Sequence, residues 1–384
     1  MSKVHIALVG GQPAPVYYGI SATNPDIVVF IYSRDSENAV NPIKVRLASN
    51  GISCLYEDYP PIDPNEPTDI INCAQCILEK HIEDQIILNI SGGTKPWTYL
   101  FSDVLKRHGK TEIIFIDQLN RIWNYNDYSH EFIKPLDLIQ HLELYGNPLR
   151  FYTRYDCYTE EDDRNAVLIE EARAYNNNDF NRLTTVLSKE TNHKLQHMQS
   201  CKWELSSGSF VEWCKPDKSN KGWVRLFLTK SKGRSNEFFI ESEHAVSLVF
   251  NSGWFEYKVA KLLSSWSEAK EILLNCKFKT KKGADKNEAD IIVRTSNRLL
   301  FVECKTHLHH TTDIDKFRTV VSTYGGTASL GLFITDVPMN EQGSEKCESV
   351  KLLPPFSYSS YYMGISREKA LFTLLDTSIA QINR

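Results

Sequence analysis

Four short apolar runs, at residues 4–9, 27–32, 86–90 and 112–116, punctuate the first part of the chain, with longer segments of mixed polarity between them. Continuous apolar runs of this length suit strands buried on both faces, and the mixed stretches suit helices. The pattern predicts an α/β unit with a parallel sheet over residues 1–145. Residues 58–67 carry four prolines and several acids, which predicts a loop inside this unit. Gly146, Asn147 and Pro148 then interrupt a helical run that ends near Tyr145, and the polar stretch up to Asp163 marks a boundary.

Residues 161–200 read as mostly helical, and 202–240 hold aromatic-rich strands around Trp203, 210–213 and 223–228. No chemistry attaches to this part. It reads as a connector, with a dimerisation or nucleic-acid-contacting insertion as the alternative. Further on, Gly253, Trp254, Phe255 and Glu256 open a helical pattern whose apolar stripe is Phe255, Val259 and Leu262. Two strands follow at 289–294 and 299–305, joined at Ser296 and Asn297. A helix over 313–323, ending at Tyr324, Gly325 and Gly326, leads into a strand at 330–335. The expected fold is α/β: a Rossmann-like unit at 1–145, an α+β segment at 146–245 and a second α/β unit at 246–384.

At 384 residues the chain exceeds what one hydrophobic core usually serves, which agrees with two domains and a smaller third. Its 41% hydrophobic and 24% charged residues suit a soluble globular protein. No apolar run approaches the roughly 20 residues a membrane span needs. Met1, Ser2 and Lys3 do not begin a secretory pattern, so a cytoplasmic protein is expected. The nine scattered cysteines suggest reduced thiols rather than a disulfide framework. Cys73 and Cys76 have zinc-like spacing but no second pair, and suit core thiols better.

A net charge of −4 neither favours nor excludes nucleic acid, because the sum hides local patches. Lys277, Lys279, Lys281, Lys282 and Lys286 crowd the segment before Asp290. They could meet a phosphate backbone or form a solvated loop.

The segment Asn287 to Thr306 carries the most specific chemistry. Side chains alternate along a strand, so Leu299, Phe301, Glu303 and Lys305 share one face while Leu300, Val302 and Cys304 share the other. A turn symmetric about Ser296 and Asn297 sets Asp290 opposite Glu303. Directly opposed Cβ atoms lie about 4.5–5.5 Å apart, close enough for both carboxylates to ligate one divalent cation. Without a cation, two such acids repel. Lys305 follows on the same face, roughly 6–7 Å along the strand. It can reach a metal-bound water or a scissile phosphate, and Mg²⁺ or Mn²⁺ with a lysine supplies what phosphodiester hydrolysis requires. The Cys304 carbonyl is a third candidate ligand.

Accessory candidates are Glu256 on the preceding helix, Glu288 on the face of Asp290, and Lys316, which could contact phosphate. Glu256 equally suits an ordinary exposed helix acid. His307, His309 and His310 form a histidine run, but oxygen ligands suit Mg²⁺ or Mn²⁺ better, so a solvated loop is expected there.

Asp290 and the Glu303-Cys304-Lys305 tripeptide resemble the PD-(D/E)xK nuclease superfamily, with Ala289 in the place of its variable leading proline. The resemblance implies a restriction-endonuclease-like C-terminal domain in which Asp290, Glu303 and Lys305 are catalytic. It also gives Glu256 a reason to approach the metal.

Two glycine pairs follow strands of the first unit: Gly10 and Gly11, and Gly92 and Gly93. At the carboxyl ends of strands in open α/β sheets, glycines allow close backbone approach and helix N-termini offer N–H donors, which favours an anionic ligand. Neither loop is a Walker A or a GxGxxG sequence. The Gly10-Gly11-Gln12-Pro13 loop, Ser33-Arg34-Asp35-Ser36 and Ser91-Gly92-Gly93-Thr94-Lys95 together resemble the CARF domain, over about residues 1–145.

A CARF domain fused to a PD-(D/E)xK nuclease is an accessory architecture of type III CRISPR systems. The resemblance implies a homodimer that binds cyclic oligoadenylate, expected to be cyclic tetra-adenylate, through Gln12, Arg34, Thr94, Lys95 and the glycine N–H groups. It further implies activated cleavage of DNA, with single-stranded RNA as a second substrate class. Two other readings stay open from the residues: a nucleotide sensor that binds nucleic acid without cutting, and an unregulated restriction or repair nuclease.

Overall fold

A computed structural model describes residues 1–186, 198–230, 233–279, 285–296, 298–308, 310–325, 329–362 and 364–382. Lys281, Lys282, Asn297, His309 and Gly326 lie outside the described residues, as does the side chain of Lys286.

Three sheets organise the chain. The first contains β1 (Lys3–Val9), β2 (Ile27–Tyr32), β3 (Leu55–Asp58), β4 (Gln85–Asn89), β5 (Thr111–Ile116), β6 (Arg121–Asn124) and β7 (Ser129–Phe132). Its order is β3-β2-β1-β4-β5-β6-β7. The first five strands are parallel, and β6 and β7 continue the edge antiparallel.

The parallel order β3-β2-β1-β4-β5 is Rossmann-like, and both faces of its central strands are covered. Val4, Ile6 and Leu8 pack with Ile70, Ile77, Trp97 and Phe101 from the helices Pro67–Lys80 and Lys95–Leu105. Ala7 and Val9 pack on the opposite side with Val16, Ile20, Ile43 and Leu47 from the helices Pro13–Thr23 and Val40–Ser49. Alternation of side chains along a strand produces this division, and the apolar run at 4–9 reflects it directly.

The second sheet is antiparallel, ordered β12-β11-β10-β9 from β9 (Ser200–Glu204), β10 (Phe210–Cys214), β11 (Trp223–Thr229) and β12 (Ser235–Glu241). Val211, Trp213, Val224, Leu226 and Leu228 form its buried face, against Ala166 and Ile169 of the helix Glu160–Tyr175.

The third sheet is ordered β17-β16-β15-β14-β13-β8. Its strands are β8 (Leu149–Arg154), β13 (Glu271–Lys279), β14 (Asp285–Arg294), β15 (Leu299–Lys305), β16 (Leu330–Thr335) and β17 (Phe356–Ser357). Residues 149–154, in the segment that reads as connector, thus supply an edge strand to the C-terminal sheet, antiparallel to β13. One face, with Ile291, Leu300, Val302 and Ile334, packs on Phe255 and Val259 of the helix Gly253–Ser264. The other, with Leu273, Ile292, Phe301 and Phe333, packs on Ile314, Phe317 and Val321 of the helix Thr312–Gly325. Among the described residues no helix is long and apolar enough to cross a membrane, and all nine cysteines are free thiols.

Candidate active site

β14 and β15 pair antiparallel with Ile291 opposite Val302 and Arg294 opposite Leu299. Continued one step past the paired residues, this register would set Asp290 opposite Glu303. The turn that fixes the register is closed from within. Thr295 N–H donates to the Arg298 carbonyl at 2.9 Å, and the Arg298 N–H donates to the Thr295 hydroxyl at 3.0 Å.

At Asp290 the ladder gives way to a side chain. The Cys304 N–H donates to Asp290 Oδ2 at 2.7 Å. The N–H and C=O of one strand residue point the same way, so the Cys304 carbonyl is directed toward this same side. Lys305 Nζ lies 2.7 Å from Glu303 Oε1.

The charges in this recess are unbalanced. Burial, then the Asp290 charge, pushes the Glu303 carboxyl up to about 8, against the pull of Lys305. Burial also raises Asp290, although Lys305 and the Cys304 N–H favour its ionised form. Glu256 is raised well above its ordinary value by burial and by the charges of Asp290 and Glu288. Burial works to lower Lys305, but the Asp290 and Glu303 carboxylates outweigh it and hold the ammonium above the usual lysine range. Among the described residues, Asp290, Glu256 and Glu303 share Lys305 as their neighbouring cation.

Gly253 sets where the Glu256 helix begins. A Cβ at Gly253 would lie 1.9 Å from the Ser247 carbonyl oxygen, so only glycine permits that approach. Glu288, opposite Lys277 across β13 and β14, is exposed, with its carboxylate 3.9 Å from Lys277 Nζ. Lys316 is exposed on its helix and 3.0 Å from Asp313. Asp313 adds its own charge to Glu303, a neighbour indistinguishable in sequence from any acid in a first helical turn. His307 and His310 are exposed.

Among the described residues no three His, Cys, Asp or Glu side chains form a ready cation cage. The donors available here are the Asp290 and Glu303 carboxylates, close enough to influence each other, and by strand geometry the Cys304 carbonyl. This all-oxygen set fits a hard cation such as Mg²⁺ or Mn²⁺ that keeps several waters, rather than zinc.

The glycine loops meet at the carboxyl edge of the first sheet, since β1 runs parallel to both β2 and β4. A Cβ on Gly10 would stand 2.9 Å from the Gly93 nitrogen, and one on Gly92 only 2.0 Å from the Leu8 carbonyl oxygen. Gly93 has φ +76°, a left-handed conformation natural to glycine. Gly11 differs: nothing lies within 4 Å of its added Cβ.

Thr94 caps the helix Lys95–Leu105, and Gly93, Thr94 and Lys95 are exposed there. Pro13 is buried at the start of its helix. Gln12 Oε1 accepts a 2.7 Å hydrogen bond from the Tyr145 hydroxyl, a partner that sequence did not suggest. Ser33 N–H donates to the Ser36 hydroxyl at 3.0 Å, bracing the loop from which exposed Arg34 projects.

No family model matches the sequence, and no curated protein matches it. Solved structures do. Can2 from Sulfobacillus thermosulfidooxidans, in complex with cyclic tetra-adenylate, is 17% identical with TM-score 0.66, covering 98% of this chain and 99% of its own. Protein VC1899 from Vibrio cholerae is 14% identical with TM-score 0.68, covering 99% of this chain and 97% of its own. A type III CRISPR defence DNA nuclease activated by cyclic oligoadenylate is 15% identical with TM-score 0.53, over 88% of this chain and 46% of that one. The chain therefore has, over nearly its full length, the α/β fold of Can2 and VC1899.

Proposed function

We propose that the chain is a metal-dependent endonuclease gated by a cyclic oligoadenylate, with residues 1–145 as a CARF-type sensor and 246–384 as a PD-(D/E)xK nuclease. Residues 146–245 connect them, apart from the edge strand β8. The observation that carries the nuclease reading is the Asp290, Glu303 and Lys305 recess, in which the Asp290 carboxylate turns onto the Cys304 N–H.

Asp290, Glu303 and the Cys304 carbonyl would hold Mg²⁺ or Mn²⁺, which when bound activates water and polarises the phosphate. Glu303 and Asp290 lose their mutual repulsion as they bind it. Lys305, kept protonated by its acidic neighbours, offers its ammonium to the phosphoryl oxygens as negative charge builds. Glu256 and Glu288 would assist beside Asp290, and Lys277 and Lys316 would contact phosphate.

The gating reading rests on the two glycine loops and on fold neighbours described as bound to, or activated by, cyclic oligoadenylate. Gly10, Gly11, Gln12, Pro13, Ser33, Arg34, Gly92, Gly93, Thr94 and Lys95 form the proposed ligand edge. A two-fold cyclic ligand such as cyclic tetra-adenylate suits a homodimer presenting this edge twice. DNA is the proposed substrate, with single-stranded RNA as the second class.

The decisive assay incubates the protein with plasmid, single-stranded DNA or RNA, with Mn²⁺ or Mg²⁺, with and without cyclic tetra-adenylate. Effector-dependent cleavage by the wild type, lost in Glu303→Ala and Lys305→Ala, is expected. Undiminished cleavage by both variants overturns the site, and cleavage indifferent to effector overturns the gating.

A further inference from the structure

The hairpin that carries Asp290 and Glu303 ends in a turn against the sensor sheet. Asn120 Nδ2, in the loop after β5, donates to the Ser296 carbonyl at 2.7 Å. That loop is braced by one carboxylate. Asp117 accepts from the Leu119 and Arg121 N–H groups at 2.9 and 3.0 Å, from Arg121 Nε at 2.6 Å and from Trp123 Nε1 at 3.0 Å. Just upstream, the Ile116 N–H donates to the Ser91 hydroxyl at 2.7 Å. Ser91 opens the Gly92-Gly93 loop, so two hydrogen bonds and one stiff loop join that loop to the hairpin.

Thr295 and Arg298 bond to each other across the turn. Its surroundings are not close-packed: a cavity of about 340 Å³ separates it from Gln12, Ser91 and Tyr145. Well-packed interiors resist displacement because any shift forces overlap. A hairpin end held by the Thr295 and Arg298 bonds beside an open cavity can tilt without overlap. β14 and β15 would carry that tilt to Asp290 and Glu303, four residues from Arg294 and Leu299.

A second contact steadies the base of the hairpin. Arg294 Nε pairs with Glu271 Oε2 at 3.2 Å, and the same oxygen accepts from the Leu138 N–H at 2.8 Å. Arg294 also stands near His141, whose ring stacks on Tyr145 at 4.6 Å. Tyr145 in turn holds Gln12. This side anchors β14, whereas the Asn120 contact reaches the turn's free end.

We propose that Asn120 is a positioning residue that couples the Ser91–Lys95 loop to the catalytic hairpin through its bond to Ser296. The coupling rests on the effector-gated reading above. It meets the physical requirement for allostery: two distinct sites, and a contiguous element whose placement both can bias.

Two variants test it in the full-length protein. Asn120 has φ 55°, which glycine adopts freely and aspartate tolerates. Asn120→Gly thus removes the donor without straining the loop, and Asn120→Asp replaces it with an acceptor that repels the Ser296 carbonyl. Cyclic tetra-adenylate binding by calorimetry and cleavage with and without it are measured for each, alongside a non-cleaved DNA mimic's effect on effector affinity.

The expected result is effector Kd in the absence of DNA within about twofold of wild type, unchanged effector-free cleavage, and activation reduced about tenfold, the equivalent of one hydrogen bond. Enhancement of effector affinity by the DNA mimic should also shrink, and by the same factor as enhancement of mimic affinity by the effector, since coupling between two binding equilibria is reciprocal. Full activation in both variants, or a DNA-free Kd that weakens as much as activation, overturns the coupling. A wild type that neither binds the effector nor responds to it overturns the gating reading itself, and this proposal with it.

Discussion

The Cys304 amide holds Asp290 by a 2.7 Å hydrogen bond at the point where β14 and β15 stop pairing backbone to backbone. A carboxylate thus occupies a place in the ladder. Asp290→Asn keeps an oxygen for the Cys304 N–H and removes the charge. Cleavage should fall roughly 100-fold or more, the scale of losing one preorganised electrostatic element, while effector binding stays intact. A thermal melt in EDTA should show no loss of stability, because one of several crowded carboxylates has been neutralised. Near-wild-type cleavage by Asp290→Asn removes this residue from the mechanism.

Metal-free stability should depend on pH in a defined direction. The Glu303 carboxyl, at about 8 in the folded chain against 4.5 ordinarily, prefers its protonated form in the native state. Its contribution is complete below its unfolded value and is lost as pH rises through about 8. Asp290 and Glu256 are shifted the same way. Lys305 stays charged through this window, because its own value is raised. In EDTA, Tm should therefore fall from about pH 5 to about pH 8 more steeply in wild type than in Glu303→Gln. Saturating Mn²⁺ should restore more Tm at the higher pH, where the ligands are ionised. Equal pH slopes for the two proteins count against the shift.

The hairpin was legible in the chain because its register is local. Thr295 and Arg298 close the turn on each other, alternation does the rest, and Ile291 meets Val302 as that symmetry requires. The strand at 4–9 was legible because burial on both faces leaves an uninterrupted apolar run. β3 was not, since Leu55–Asp58 is a largely exposed edge with no face to pattern. Nor were β6 and β7, whose residues are half-buried or exposed. β8 joins β13 across more than a hundred residues, and no local signal announces such a partner. Asn120 and Ser296, 176 residues apart, escape sequence reading for the same reason.

Lys305 should matter differently with and without metal. Lys305→Met removes the cation that offsets Asp290 and Glu303, so in EDTA near neutral pH the variant should melt below wild type. Divalent metal can replace that charge, and Mn²⁺ should close much of the gap in Tm. In the proposed mechanism it cannot replace the ammonium that Lys305 offers to the phosphate. Cleavage should stay roughly 100-fold or more below wild type even at saturating Mn²⁺. Recovery of cleavage together with Tm would reduce Lys305 to a structural counter-ion.

The two glycine loops invite a paired test, because neighbouring residues of identical type face opposite steric situations. A methyl on Gly92 would collide with the Leu8 carbonyl oxygen at 2.0 Å, and backbone at the end of a central buried strand cannot yield cheaply. Gly92→Ala should cost about 1–3 kcal/mol and displace the Ser91 hydroxyl from Ile116, so that effector affinity and activation both fall. A methyl on Gly11 meets nothing within 4 Å. Gly11→Ala should leave stability within about 0.5 kcal/mol of wild type. If effector lies against this loop, Gly11→Ala will nevertheless weaken its binding, since the new methyl fills the space a phosphate would approach. Calorimetry on a variant that melts like wild type then separates ligand contact from fold, and unchanged affinity would place the effector away from Gly11.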